Sequence, residues 1–428
     1  MPFRLPALLA DPAPGEARLW LENARLFDGT GAAPRDSVSV LVEEGRIGRI
    51  AHTGEAPPEG ALVLDLAGRT LLPGLIDAHA HVGVSFPKPA PAHGAEALLP
   101  GTIGHVLAAE LREVLRMGIT TMRDVGSMGD IVVEARQAMR YGAFRGPRLL
   151  TCGRIVSPTG PGGRFFSGMY READGPDDMR RAAREQLRYG ADFVKVMTTG
   201  ARTVELEDPD PAQLTHDELA VVVEETHRMG YRVCAHCEGL AGTELAIEAG
   251  IDTIEHGMYL NQRPDLLERM AASGQVLVPT LSFLLHVAGQ DPAADFTAST
   301  WTPPLVELGE HNVEQAQLTL VAARNAGVRL AMGHDTAPLH AGANELLRMV
   351  EAGLSTCEAL VAATSGSACA LGLTEHVGTV EPGKLADLLV VDGDPLARPE
   401  VLCERARIWL VLRLGTPVAG TALEPTLA

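Results

Sequence analysis

Residues 71–82 read Leu-Leu-Pro-Gly-Leu-Ile-Asp-Ala-His-Ala-His-Val, and the reading of the whole chain works outward from this stretch. It is short and apolar, it is entered through a Pro-Gly pair, and it ends on two histidines spaced two apart. A strand repeats every two residues, so His79 and His81 point to the same side of it. Two neutral imidazoles directed into one space suit a transition-metal ion. Taken alone, the pattern fits two histidines on a solvated strand equally well, so the surroundings decide.

Beyond residue 71 a short apolar strand, a loop and an amphipathic helix recur. Strands are expected at 71–82, 120–125, 148–156, 193–198, 232–237, 253–256, 275–281 and 329–335. Helices are expected at 103–117, 177–189, 215–229, 240–249, 264–272 and 305–326, where apolar residues fall at three- and four-residue spacing. Gly118, Gly190, Gly230, Gly250, Gly274 and Gly327 follow helix ends, as C-terminal caps do. Eight alternating units favour a closed parallel (β/α)8 barrel over an open sheet. A last helix is expected at 356–371. The flanks differ: 18–72 reads as short strands punctuated by glycines, and strand texture returns at 378–396 and 407–413. The expected fold is therefore α/β: a (β/α)8 TIM-like barrel over 73–373, with a small discontinuous β-sandwich domain built from 1–72 and 374–428.

A length of 428 residues accommodates that arrangement. The net charge of −19 opposes nucleic acid or an anionic membrane as the main partner and leaves a small-molecule substrate. Six scattered cysteines, mostly within apolar runs, fit a reducing compartment rather than a disulfide framework. The first residues, MPFRLPALLADPAPGE, lack a signal-peptide core, and no apolar run approaches the ~20 residues of a membrane span. A cytoplasmic location is expected.

Four further polar residues fall at later strand ends. Lys195 lies in Phe-Val-Lys-Val-Met, where an ammonium is either costly or chemically altered. His236 ends Val-Cys-Ala-His, His256 follows Ile-Glu, and Asp335 follows Met-Gly-His. Singly, a backbone-bonded histidine or a capping aspartate explains each of the last three as well. Together with His79 and His81 they occupy the ends of expected strands 1, 4, 5, 6 and 8, which in a barrel share one face, the face where barrel enzymes place their chemistry.

With those segments in view, the chain resembles the amidohydrolase superfamily. Within it the resemblance is to the dinuclear branch of zinc carboxypeptidase-like and Xaa-Pro dipeptidase-like enzymes and ochratoxinase-type amidases. The carrying segments are PGLIDAHAHV, GADFVKVMTTG, VCAHCEG, DTIEHG, MGHDT and GTVEPGKLADLLVVDGDPL, spread over about 17–417. The resemblance implies two divalent metal ions, usually zinc. His79, His81 and Asp335 would hold one, His236 and His256 the other, with carboxylated Lys195 and a hydroxide bridging them. It implies that Asp335 takes the proton of the attacking water and passes it to the leaving nitrogen. It implies hydrolysis of an amide bond in a dipeptide, an N-acyl amino acid or a bulky, ochratoxin-like amide, by an enzyme that often forms homo-oligomers up to octamers. A deaminase or a cyclic-amide or lactone hydrolase on the same metal site is the alternative, and a degenerate binding protein a third reading.

Two positions depart from the family pattern. His334 stands where relatives carry a small residue, and is expected to point away from the metals. Arg164, in the loop 157–166, stands near the place of a histidine that helps recognise substrate in some relatives. Arg164 or Arg202 is a candidate clamp for a substrate carboxylate, since a guanidinium fork matches that group; solvated loop arginines are the plainer alternative. Tyr231 and His340 are further candidates for substrate contact. Phe165, Phe166, Phe283 and Leu284 are expected to give an apolar lining. Cys234 and Cys237 form a C-x-x-C, but alternation sends their thiols to opposite faces, against a redox pair.

Overall fold

The computed structural model describes residues 5–52, 54–83, 100–204, 206–290 and 303–423. The expected loops at 83–102 and 283–304 therefore lie partly outside the described residues.

Eight parallel strands stand where the apolar runs predict them: β1 (Leu75–Ala80), β2 (Ile119–Asp124), β3 (Arg148–Thr151), β4 (Phe193–Met197), β5 (Arg232–Cys237), β6 (Thr253–His256), β7 (Val276–Val278) and β8 (Arg329–Leu330). Apart from β8, every residue of these strands is buried except Arg232, which explains why they read as apolar runs rather than alternating ones. Two seams close the ring. Ile155–Ser157 extends β3 and pairs with β4 at Val156 and Val196. Beyond β8, Met332 O accepts from Ala78 N at 2.8 Å and His79 O accepts from Asp335 N at 2.9 Å, which bonds the last strand's continuation to the first.

The expected helices appear at Pro100–Arg116, Pro176–Arg188, His216–Arg228, Leu240–Ala249, Pro264–Ser273 and Pro303–Asn325. Helices not anticipated include Ile131–Arg140, Leu281–Val287 and Asn344–Glu351, besides the one-turn helices Pro6–Leu9 and Pro161–Phe165; Leu281–Val287 starts inside the residues expected to finish the seventh strand. The expected helix at 356–371 is interrupted by a π segment, Ala362–Gly366. At that widened turn Met332 N donates to Ala362 O at 3.2 Å and to Ser367 Oγ at 3.0 Å. The interruption thus fixes the segment that leads to Asp335.

Strands from both ends of the chain share one eight-stranded sheet. Leu388–Val391 pairs antiparallel with Thr70–Pro73, Leu389 opposite Leu72 and Val390 opposite Leu71. The chain passes from this sheet into β1 through Gly74, where a Cβ would lie 2.2 Å from Thr120 Oγ1. No helix among the described residues is long and apolar enough to cross a membrane.

Candidate metal centre

The strand registers place the candidate ligands at one end of the barrel. His236 lies opposite Met197, His256 opposite Cys237, and Lys195 opposite Cys234. Lys195 thus sits two residues deeper than the His236 level, a step of ~6.6 Å that a lysine's four-carbon stem can span. His79 is the penultimate residue of β1, His81 follows that strand directly, and Asp335 lies in the continuation of the chain beyond β8.

His79, His81 and Asp335 present one ligand atom each within 4.8 Å of one another. Both imidazoles aim Nε2 at Asp335 Oδ1, at 3.5 Å each. Their other nitrogens are committed. His79 Nδ1 lies 2.7 Å from Glu255 Oε2, and His81 Nδ1 lies 2.6 Å from the carbonyl of Gly126. A carboxylate or carbonyl oxygen only accepts, so Nδ1 carries the proton in both rings and each Nε2 offers a lone pair. On the other side, His256 Nε2 and His236 Nδ1 face each other at 2.9 Å, with His256 Nδ1 held 2.7 Å from Thr280 Oγ1.

Burial holds the imidazoles in the neutral form a metal requires. It lowers His79 and His256 well below the ordinary histidine value, and His81 to about 4. Burial also pushes the Asp335 carboxyl well above its ordinary value; Lys195 opposes this, and the buried acids Asp77, Glu255 and Glu238 add to it. Asp77 is raised to about 7 and Asp124 to about 6 for the same leading reason, burial. Against these carboxyl groups stand the cations Lys195 and Arg123, so the site carries a surplus of buried acid.

Two of the candidate ligands depend on unusual backbone. Alternation along β6 puts Thr253 and Glu255 on the barrel's inner side and would send His256 outward. A φ of +67° at His256 turns it into the mouth instead, and Asp335 has a φ of +52°. Such conformations persist where the surroundings hold them, and they concentrate at functional sites.

The sequence reading missed the residues that hold the candidate ligands in place. Arg123, on β2, donates to Glu255 Oε1 at 2.7 Å, to Ala78 O at 2.5 Å and to Thr253 Oγ1 at 3.0 Å. Glu255 in turn fixes His79. Asp77 Oδ1 accepts from the backbone N–H of His79 at 3.1 Å and of His334 at 3.2 Å, which ties β1 to the Asp335 segment. The available signal was charge inside apolar strands: Arg in Thr-Met-Arg-Asp and Glu in Thr-Ile-Glu-His.

A cavity of about 270 Å³ opens over this face. His81, Lys195, His236, His256 and Asp335 line its polar floor. Ile155, Phe165, Phe166, Met169, Tyr170 and Phe283 form an apolar wall. Leu284, also expected in the lining, is buried in the core beside the neighbouring helices instead.

The substrate-contact candidates are placed differently. Arg164 is exposed and does not line the cavity. Arg202 is tied to Asp210 at 2.9 Å, lies 3.5 Å from Glu238 Oε2, and stacks over Tyr259. Tyr231 precedes β5, at the opposite end of that strand from His236, so it stands on the far side of the barrel. His340 pairs with Glu110 at 2.9 Å, outside the cavity lining. His334 is buried and likewise outside the lining. Cys237 packs against Thr198 at 3.2 Å in a different apolar cluster from Cys234, and burial pushes both thiols up to about 12. These are inert thiols, not a redox pair.

A parallel α/β barrel whose strand ends gather His-x-His, a buried lysine, two more histidines and an aspartate defines a class of hydrolases acting on carbon–nitrogen bonds. The chain belongs to the amidohydrolase family, whose sequence pattern matches residues 70–418. It is similar to the ochratoxinase of Aspergillus niger, 28% identical over 96% of this chain and 88% of that one. The crystal structure of A. niger ochratoxinase superposes with a TM-score of 0.84, covering 97% and 98% of the two chains at 26% identity. A Xaa-Pro dipeptidase solved with methionine in its active site gives a TM-score of 0.82 at 25% identity, covering 94% and 99%. The imidazolonepropionase of Rhizorhabdus wittichii is 28% identical over 92% of this chain and 98% of its own.

Proposed function

We propose that the protein hydrolyses the amide bond of a dipeptide or N-acyl amino acid carrying a large apolar group. The observation that carries this reading is the apolar-walled cavity opening directly onto the ligand face.

The residues fit a pair of divalent ions. His79, His81 and Asp335 would hold one and His236 and His256 the other, with carboxylated Lys195 shared between them; nitrogen and oxygen donors of this kind suit zinc. Three observations support the fit. His236 Nε2 is buried without a hydrogen bond, with Glu238 Oε1 3.4 Å away. Two imidazole nitrogens meet face to face at 2.9 Å. The Lys195 side chain is 1% exposed, and no carboxylate pairs with it among the described residues. When bound, paired ions lower the pKa of water and polarise an amide carbonyl.

The chain's own groups do the rest. Asp335 stands in the cavity floor, where its carboxylate can take a proton from the attacking water and return it to the leaving nitrogen. The apolar wall excludes water and aligns the large group of the substrate. Carboxylate recognition by Arg164 is not part of this reading. Arg164→Ala is expected to leave the KM for an N-acyl amino acid within about twofold, the usual size for an exposed substitution. A larger rise, measured by steady-state kinetics, would restore the clamp.

The test is a release assay on zinc-supplemented protein with dipeptides and N-acyl amino acids, scoring free amino acid and ammonia separately. Free amino acid without ammonia, favouring bulky apolar substrates, is expected. Ammonia would point to a deaminase. Activity confined to cyclic amides would favour the imidazolonepropionase-like alternative, and either outcome overturns the proposal.

A further inference from the structure

The apolar wall comes from a loop that must be held over the metal face. Phe165 ends a short helix, Pro161–Phe165, and Phe166 follows it, between Ile155–Ser157 and Tyr170–Glu172. Phe166 packs edge-on to Phe165 at 4.8 Å between ring centres and lies 5.5 Å from Tyr170. The base of this loop is pinned to itself: Thr159 donates twice to Asp174, and Gly160 N donates to Glu172 at 3.2 Å. Its tip is pinned from outside. Glu207, in the loop after β4, accepts from Gly162 N with Oε1 at 2.7 Å and from Ala201 N with Oε2 at 2.9 Å.

One carboxylate therefore fastens the Phe165–Phe166 turn to the loop that contributes Ala201 and Thr203 to the cavity. Among the described residues it is the hydrogen-bonded link between these two loops. The fit is close: a Cβ on Gly162 would lie 2.7 Å from Glu207 Oε1 and 3.1 Å from Tyr170 Cε2. Both bonds are charge-assisted, which is the stronger kind. Glu207 does not line the cavity, so it acts on the substrate only through the wall.

We infer that Glu207 is a positioning residue for specificity: it latches the aromatic wall over the metal face and so selects substrates with a large apolar group. This rests on the amide-hydrolase reading above. In Glu207→Ala both acceptor oxygens are gone, so Gly162 N–H loses its partner in the loop after β4 and the latch opens. Gly162→Ala should open it from the other side.

Both variants are to be compared with wild type in two assays, after their circular dichroism and melting temperature show an intact fold. The first is the rate of tryptic cleavage after exposed Arg164, with the cut located by mass spectrometry. It is expected to rise about tenfold, the size of losing one charge-assisted hydrogen bond. The second is steady-state kinetics on two N-acyl forms of one amino acid. KM for the bulky aromatic acyl form is expected to rise about tenfold, with the N-acetyl KM and both kcat values within about twofold. Unchanged cleavage after Arg164, or equal shifts for the two substrates, overturns the inference. If wild type cleaves no amide, the function proposed above fails by itself, and accelerated cleavage after Arg164 still decides whether Glu207 holds the wall.

Discussion

Replacing Lys195 with alanine is expected to cut turnover on the order of 10³-fold, about 4 kcal/mol of transition-state stabilisation, and, on the two-ion reading proposed above, to lower the metal bound per chain. The reason is the setting of the side chain. It is 1% exposed, rises from the middle of β4 into the cavity floor, and meets no carboxylate among the described residues. An unpaired buried ammonium is costly, and the histidines His79, His81 and His256 that surround it carry no negative charge in either protonation state, so they give it no counter-ion. Converted to a carbamate, the same side chain supplies anionic oxygens to a floor built of neutral imidazoles. A short carboxylic acid such as formate or propionate fits the space left in the alanine variant and is expected to restore part of the turnover. The measurements are metal analysis of the dialysed variant and kinetics across a carboxylate titration. Full metal loading with normal turnover sinks the bridging role.

The second large effect is expected at Arg123 and Glu255, 3% and 0% exposed in their side chains and paired at 2.7 Å. Arg123→Leu leaves Glu255 buried without its cation and is expected to lower the unfolding free energy by ~3–5 kcal/mol. Glu255→Leu strands the guanidinium and should cost a similar amount. The double variant is expected to be more stable than either single one, because apolar side chains replace a buried pair at little net cost. Metal binding should not recover with it. Glu255 holds His79 Nδ1 at 2.7 Å, and loss of such a partner weakens metal affinity ~10–100-fold. Urea denaturation of the metal-free variants and a competitive zinc titration separate the two effects. Wild-type zinc affinity in the double variant would mean that Glu255 only balances charge and does not orient His79.

Much of this protein is local in origin and was therefore legible in the sequence. A parallel strand covered on both faces is largely apolar, so the buried strands of the ring announced themselves as apolar runs. Helix ends marked by glycine fell within a few residues of their expected places because a left-handed cap is a property of one residue. The His-x-His pair was readable because alternation alone puts both rings on one side. The missed helices show the limit. Ile131–Arg140, Leu281–Val287 and Asn344–Glu351 are short, so each offers few turns over which a helical period can be told from a loop or a strand.

What only the tertiary structure decided is how distant residues meet. Whether a guanidinium on β2 reaches an acid 132 positions later is set by ring closure, not by any local preference. Alternation along β6 cannot foretell His256, because a backbone turned to φ +67° overrides the strand period. The substrate-contact candidates depended most on the fold. Arg164, Arg202, Tyr231 and His340 were chosen by residue type and approximate position, and the fold gave them solvent, an acid, the far end of a strand and another acid. The sequence by itself pointed to the barrel and to the His79–His81 pair, because strand period and side-chain chemistry travel with each short segment. The charged pair behind His79, the aromatic wall and its Glu207 fastening exist only where separate loops and strands are brought within hydrogen-bond distance.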